Sequence, residues 1–179
     1  GRFINSPSQF VLMPKYDFLV VGSSTVDIIA KTSDVERIDI GGRHVERNSA
    51  KGGMRNRALP DLRLICISFA SKSELESLEL CPGGSASNSA IMMRTLGSSV
   101  CLLSAVGNDE FGKAVLADLK KNRINTAAVK VFSNSSTGVG LGIISPGGEQ
   151  SILVFRGANS SLGPSDVSEF SIKNYGYVF

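Results

Sequence analysis

The chain has 179 residues, 42% of them hydrophobic, with 19 glycines and 6 prolines. That composition suits one sizeable globular core and excludes disorder as the overall state. Nineteen basic against sixteen acidic residues leave a formal charge of +3, too small to demand a nucleic-acid or membrane partner.

Residues 1–15 read as an extension of no assigned role, with Met13-Pro14-Lys15 standing directly before the first strand as a natural start. Phe18-Leu19-Val20-Val21 is a short apolar run ending at Gly22, which predicts a strand buried on both faces of an α/β sheet. Asp39 to Leu80 has weak periodicity and mixed composition. Within it, Arg43, Arg47, Lys51, Arg55 and Arg57 form a basic run around His44 with no interleaved aromatics, which reads as a solvated loop rather than a nucleic-acid patch.

Asn88 to Leu96 follows a glycine-rich loop and stops at Gly97, predicting a helix with a glycine cap. Val100 to Val106 repeats the buried-strand pattern and ends at Gly107. Asp109 to Asn122 places Phe111, Val115 and Leu119 on one helical face, with acids in its first turn and Lys120, Lys121 and Arg123 at its end. Val139, Leu141 and Ile143 alternate with glycine, Pro146-Gly147-Gly148-Glu149 turns, and Ser151 to Phe155 returns as a hairpin. Pro164 opens a further helix, and Tyr177-Val178-Phe179 begins another strand. A strand broken off at its third residue reads as the mark of a fragment or truncated product. Strand–helix alternation of this kind predicts a wound, largely parallel sheet.

Three cysteines, Cys66, Cys81 and Cys101, are widely spaced without a CxxC or Cys/His ligand pattern. The expectation is reduced thiols in a cytoplasmic protein, with no metal site and no disulfide frame. No apolar run reaches the roughly 18–20 residues of a membrane span.

The densest constellation is Pro82-Gly83-Gly84-Ser85-Ala86-Ser87-Asn88-Ser89-Ala90, then Leu96-Gly97, then Gly107-Asn108-Asp109-Glu110-Phe111-Gly112. Paired glycines let a backbone approach a ligand closely, and an asparagine at a helix start caps it or offers an amide to a hydroxylated ligand. Read singly, each glycine serves a turn. Read together, Gly83, Gly84, Asn88, Ala90, Gly97 and Gly107 resemble the first signature of the PfkB (ribokinase-like) family of carbohydrate and nucleoside kinases. Gly22 to Asp27, Ser136-Thr137-Gly138 and Gly157-Ala158-Asn159 resemble further family segments in the same order. The resemblance covers most of Tyr16 to Ala30 and Leu80 to Phe179; residues 55–80 interrupt it, and non-native sequence is one reading of them.

The resemblance implies an α/β, ribokinase-like, mostly parallel sheet flanked by helices, with a small β lid built from about 31–50 and 138–156. The kinase domain would run from 16 to 179 with the C-terminal part of the fold missing. The implied activity is ATP- and Mg2+-dependent phosphorylation of a sugar or nucleoside hydroxymethyl group. The implied substrate-binding residues are Asp27, Gly83, Gly84, Asn88, Ser23 and Thr137, the Asp27 carboxylate accepting hydrogen bonds from substrate hydroxyls. Within the family, the Gly-Gly-Ser spacing is most similar to adenosine-kinase-like members. The lid is a candidate homodimer contact, and neither nucleic acid nor membrane is expected as partner.

The family's second signature, Asp-Thr-x-Gly-Ala-Gly-Asp, does not occur in these 179 residues. No catalytic residue is therefore assigned in this chain. The alternative reading is a non-catalytic ligand-binding or regulatory relative derived from a kinase half.

Overall fold

The computed structural model describes residues 15–40, 62–67, 72–168 and 172–179. The extension up to residue 14, His44 and the basic run 43–57 lie outside the described residues. So do residues 41–50 of the first expected lid piece.

β6 (Val100–Gly107) organises the fold, because all eight of its residues are buried. Only a central strand of a sheet covered on both faces can bury a continuous apolar run of that kind. It pairs in parallel with β1 (Tyr16–Val21) on one side and β7 (Val129–Phe132) on the other. β10 (Tyr175–Val178) adds in parallel to β1, giving the order β10-β1-β6-β7. The register sets Tyr16 opposite Tyr175 and Phe18 opposite Tyr177. Both pairs stack, with ring centroids 5.9 and 5.5 Å apart, so cross-strand aromatics help fix that register.

Successive strand residues face opposite ways, and the sheet uses both faces. Leu19, Cys101 and Leu103 pack with Ala128 on one of them, where Val167 and Tyr175 close over the cluster. Two helices follow their strands as expected, and both pack against β6. α1 (Ser85–Thr95) buries Ala86, Ser87 and Ala90; α2 (Glu110–Lys121) buries Gly112, Val115 and Leu119. A short helix α3 (Pro164–Ser168) begins at the proline that marked it in sequence.

The chain divides into two compact units. The first comprises Gly1–Asp27, Cys81–Gly140 and Val154–Phe179 and contains the parallel sheet. The second comprises Ile28–Leu80 and Leu141–Leu153. In the second unit, β3 (Glu36–Ile40) pairs antiparallel with β4 (Leu62–Cys66), Glu36 opposite Cys66 and Ile40 opposite Leu62. Thr32 Oγ1 donates to the Glu74 carbonyl at 2.7 Å, and Glu74 N–H donates to Asp34 Oδ2 at 2.9 Å. These bonds tie the segment entering β3 to the one leading into β5.

A second sheet has the order β5-β2-β8-β9, formed by β5 (Ser77–Gly83), β2 (Thr25–Lys31), β8 (Gly138–Ile144) and β9 (Gln150–Phe155). Five residues join β8 to β9, far too few for a parallel crossover, so this is the expected hairpin. Its turn closes through Ser145 N–H to the Glu149 carbonyl and Gly148 N–H to the Ser145 carbonyl, each 2.9 Å.

Three elements differ from the sequence expectation. α1 starts at Ser85 and not at Asn88, the final strand starts at Tyr175 and not at Tyr177, and Asp27 lies inside a strand of its own, β2. The three cysteines are free thiols: Cys101 is buried, Cys66 half-buried and Cys81 exposed.

Candidate functional site

Asp27 is the third residue of β2, flanked in the sheet by β5 and β8. Its carboxylate lies flat against glycine backbone on both sides. A Cβ on Gly83 of β5 would overlap Oδ2, and a Cβ on Gly140 of β8 would sit 2.8 Å from Oδ1. Any side chain at either position would displace the acid, so the two glycines leave the space it occupies. Thr25 Oγ1 donates to Asp27 Oδ1 at 3.2 Å. Asp27 is half-buried, and a carboxylate accepts about four hydrogen bonds, so most of its accepting capacity is unused among the described residues.

Gly84 is the N-cap of α1 with φ 100°, a conformation that favours glycine. It also touches Ser23, since a Cβ there would lie 2.8 Å from the Ser24 Cα and collide with the Ser23 carbonyl. That carbonyl accepts from the N–H groups of Ala86 at 3.2 Å and Ser87 at 3.4 Å, while Ser23 Oγ accepts from Ser85 N–H at 3.3 Å. A helix start leaves such donors without internal partners. Here a residue some sixty positions upstream supplies them, and Asn88 does not cap the helix as its sequence position suggested. Its N–H instead makes the ordinary helical bond to the Gly84 carbonyl at 2.9 Å. The Asn88 side chain is exposed on the first turn of α1, its amide unused among the described residues.

The loop between β1 and β2 is pinned from below. Ser24 N–H donates to Asn159 Oδ1 at 3.0 Å, and Asn159 Nδ2 donates to the Ser24 carbonyl at 2.8 Å. Ser24 Oγ and Ser87 Oγ, both in buried residues, lie 2.7 Å apart. Asn159 was legible only as part of a family-like triplet, and its pairing with Ser24 bridges 135 positions of sequence.

Thr137 is placed differently from the other candidates. It is fully buried, its hydroxyl donates to Asp109 Oδ1 at 2.6 Å, and that hydroxyl accepts from Gly107 N–H at 2.9 Å. These bonds give it a positioning role at the junction of β6, α2 and β8. Asp109 accepts from Gly112 N–H at 2.8 Å as well, capping α2. Burial pushes the Asp109 carboxyl up, but bonds from the Thr137 hydroxyl, the Thr137 N–H and the Gly112 N–H outweigh it and hold the carboxyl below its usual range.

A cavity of about 470 Å³ opens at the C-terminal end of β1, between Val21-Gly22-Ser23 and Arg156, Asn159 and Asp166. Open α/β sheets bind ligands beyond the carboxyl ends of their strands, and this cavity has that position. Of the candidate residues it includes Ser23 alone. Lys130 forms an ion pair with Asp166, and its hydrogen bond holds that carboxyl below the usual range.

The paired glycines, whose open approach suggested a ligand cradle, are thus packed against the Asp27 side chain and the Ser23-Ser24 backbone. No group of three or more His, Cys, Asp or Glu side chains among the described residues could hold a metal ion. No site for ATP or Mg2+ is assigned among the described residues, and no step is derived through either.

A parallel sheet whose strands alternate with packed helices, together with a second sheet that sets a carboxylate between glycines, defines an α/β protein of the ribokinase-like fold. The pfkB family carbohydrate kinase model matches residues 54–177, and the chain belongs to that family. The match takes in residues 55–80, which the motif pattern had set aside as an interruption. Gly83, Gly84, Asn88 and Thr137 fall inside it, Ser23 and Asp27 before it.

Among curated relatives, a ribokinase of Bacillus subtilis is 33% identical over 89 residues, 50% of this chain and 30% of the relative. A Schizosaccharomyces pombe ribokinase is 38% identical over 84 residues, 45% of this chain and 26% of the relative. These alignments span less than a third of the relatives' own length. A ribokinase of Arabidopsis thaliana, solved with ribose and ATP, superposes with a TM-score of 0.62 at 20% identity, covering 93% of this chain and 45% of that one. A Cryptococcus neoformans ribokinase solved with ADP gives 0.62 at 21% identity, covering 91% and 41%. At those identities the likeness is one of fold. Among the described residues no helix is long and apolar enough to cross a membrane.

Proposed function

We propose that this chain supplies the substrate-gripping part of a sugar kinase whose substrate is a pentose or a nucleoside. The observation that carries the reading is the Asp27 carboxylate, set between Gly83 and Gly140 with one accepted bond from Thr25 and the rest of its accepting capacity unused among the described residues. An acceptor-only group of that kind suits a pair of neighbouring hydroxyls. Asn88, exposed one turn into α1, adds an amide able both to donate and to accept. Ser23 and Gly84 hold the start of α1, which carries Asn88, and Thr137 holds the start of β8, which leads to Gly140.

The pentose choice draws on the ribokinases among the relatives. The nucleoside choice draws on the Gly83-Gly84-Ser85 spacing, similar to adenosine-kinase-like members. ATP would supply the transferred phosphoryl group, and the acid–base and phosphate-binding groups for that step are proposed to come from polypeptide outside these 179 residues. The roles of 31–50 and 138–156 as a water-excluding lid, and of that lid as a homodimer contact, rest on the family resemblance. So does a cytoplasmic location.

Calorimetric titration of the chain with ribose, adenosine and fructose 6-phosphate tests the reading. Ribose or adenosine should bind saturably and fructose 6-phosphate should not, because Thr25, Gly83 and Gly140, the described residues against the Asp27 carboxylate, include no cation to take its phosphate. Asp27→Ala should lower the affinity by on the order of 10- to 100-fold, the loss of charge-assisted hydrogen bonds. Unchanged affinity in Asp27→Ala would overturn the site assignment.

A further inference from the structure

α1 and α2 end in the same way. After α1, Gly97 N–H donates to the Arg94 carbonyl at 3.0 Å and Ser98 N–H to the Met93 carbonyl at 3.1 Å. After α2, Arg123 N–H donates to the Lys120 carbonyl at 2.9 Å and Ile124 N–H to the Leu119 carbonyl at 3.0 Å. Both are Schellman endings, which require a left-handed residue just past the helix, and glycine is the usual choice. α1 uses Gly97, with φ 98°. α2 uses Arg123, with φ 58°, the one non-glycine of positive φ among the described residues.

Nothing in the helix ending calls for that arginine. Lys120 and Lys121 already complement the negative end of the α2 dipole. Glycine would make the same two backbone bonds without the Cβ clash. The side chain itself is what the strained position retains.

That side chain lines a pocket of about 450 Å³ together with Arg94, Thr95, Gly97, Lys121 and Asn122. Three of the six residues are cations, none is an acid, and none of the three cations is ion-paired among the described residues. Arg94 spends one N–H on the Ser98 carbonyl at 3.1 Å and keeps the others. Two helix C-termini contribute roughly half a negative charge each, so about two net positive charges remain. The pocket lies at the far end of α1 from Gly84, about 16 Å away for an eleven-residue helix, and is separate from the Asp27 site.

We propose that this pocket binds a compact phosphate-bearing small molecule, held by Arg94, Lys121 and Arg123. Guanidinium groups match phosphate oxygens two at a time, and the lining has no aromatic face for a base.

The test is titration of the full chain with inorganic pyrophosphate, by calorimetry and by thermal shift. Saturable binding that weakens as salt rises is expected. Arg123→Gly should act in opposite directions: the ligand-free protein gains about 2–4 °C in Tm from relief of the left-handed arginine, while pyrophosphate affinity drops about fivefold or more. Arg94→Gln should lower affinity without that gain. Arg156→Gln, in the other cavity, should leave pyrophosphate binding unchanged. Absence of saturable binding, an affinity unaffected by Arg123→Gly, or a loss confined to Arg156→Gln would each overturn the proposal.

Discussion

Thr137 makes two hydrogen bonds to the two oxygens of one carboxylate, its hydroxyl to Asp109 Oδ1 at 2.6 Å and its N–H to Asp109 Oδ2 at 2.8 Å. Because Asp109 also caps α2 and the Thr137 hydroxyl also accepts from Gly107, the end of β6, the start of α2 and the start of β8 close into one network. The spacing Gly107-x-Asp109-x-x-Gly112 follows from it. A Cβ on Gly107 would lie 2.6 Å from the Thr137 nitrogen, and one on Gly112 would overlap the Gly107 carbonyl oxygen.

Thr137→Val conserves volume and deletes the hydroxyl, leaving Gly107 N–H buried without its acceptor. A destabilisation of about 1–3 kcal/mol is expected from one orphaned buried donor, read as a lowered urea midpoint at unchanged slope. Thr137→Ser should recover most of it, since the oxygen returns and only a methyl is lost.

The same network sets an acid dependence. The folded carboxyl of Asp109 titrates below its ordinary 3.8. A depressed folded value stabilises the fold fully above the unfolded value and loses that contribution as pH falls through the folded one. The wild type should therefore exceed Asp109→Asn in stability at pH 7, with the gap narrowing once pH drops below about 4. Chemical denaturation of both proteins from pH 7 to pH 2 measures it; a constant gap would show that the ionised form contributes nothing.

The elements that bury one continuous or one periodic face were legible in the sequence. β1 and β6 announce themselves as apolar runs ended by glycine, and α2 by its face of Phe111, Val115 and Leu119. β2 was not legible, because only Gly22-Ser23-Ser24 separate it from β1 and its residues belong to a different sheet. β5 was hidden by Pro82, which cannot donate to a ladder; its position at the end of the order β5-β2-β8-β9 is where a strand tolerates proline. The candidate site was half legible. Asp27, Gly83 and Gly84 could be picked out one by one, but Gly83 answers to a carboxylate 56 positions away and Gly84 to the backbone of Ser23 and Ser24. No local pattern encodes either contact.

Asn159 offers a further test of how the loop before β2 is held. Its side-chain amide exchanges two bonds with the Ser24 backbone and gives a third to the Arg156 carbonyl at 3.2 Å. Asn159→Asp would keep the acceptor for Ser24 N–H but set a carboxylate oxygen against two carbonyls. Asn159→Asp should therefore destabilise at least as much as Asn159→Ala, each by about 1–3 kcal/mol. An Asp variant as stable as the wild type would mean the reciprocal pair contributes little.

Gly83 and Gly140 separate binding from folding. A methyl on Gly83 meets the carboxylate of Asp27, a side chain that can rotate away, while the surrounding backbone keeps its place. Gly83→Ala should thus cost stability modestly, about 1–3 kcal/mol for local overpacking, and weaken ribose or adenosine binding on the order of tenfold by turning the acceptor. Gly140→Ala, with its Cβ 2.8 Å from Oδ1, should do the same to a smaller degree. Gly163→Ala is the control, because its Cβ would find nothing nearer than 3.9 Å and its effect on both quantities should be small. If Gly83→Ala bound substrate as tightly as the wild type, the orientation of Asp27 between the two glycines would have no part in recognition, and the exposed amide of Asn88 would become the group to test next.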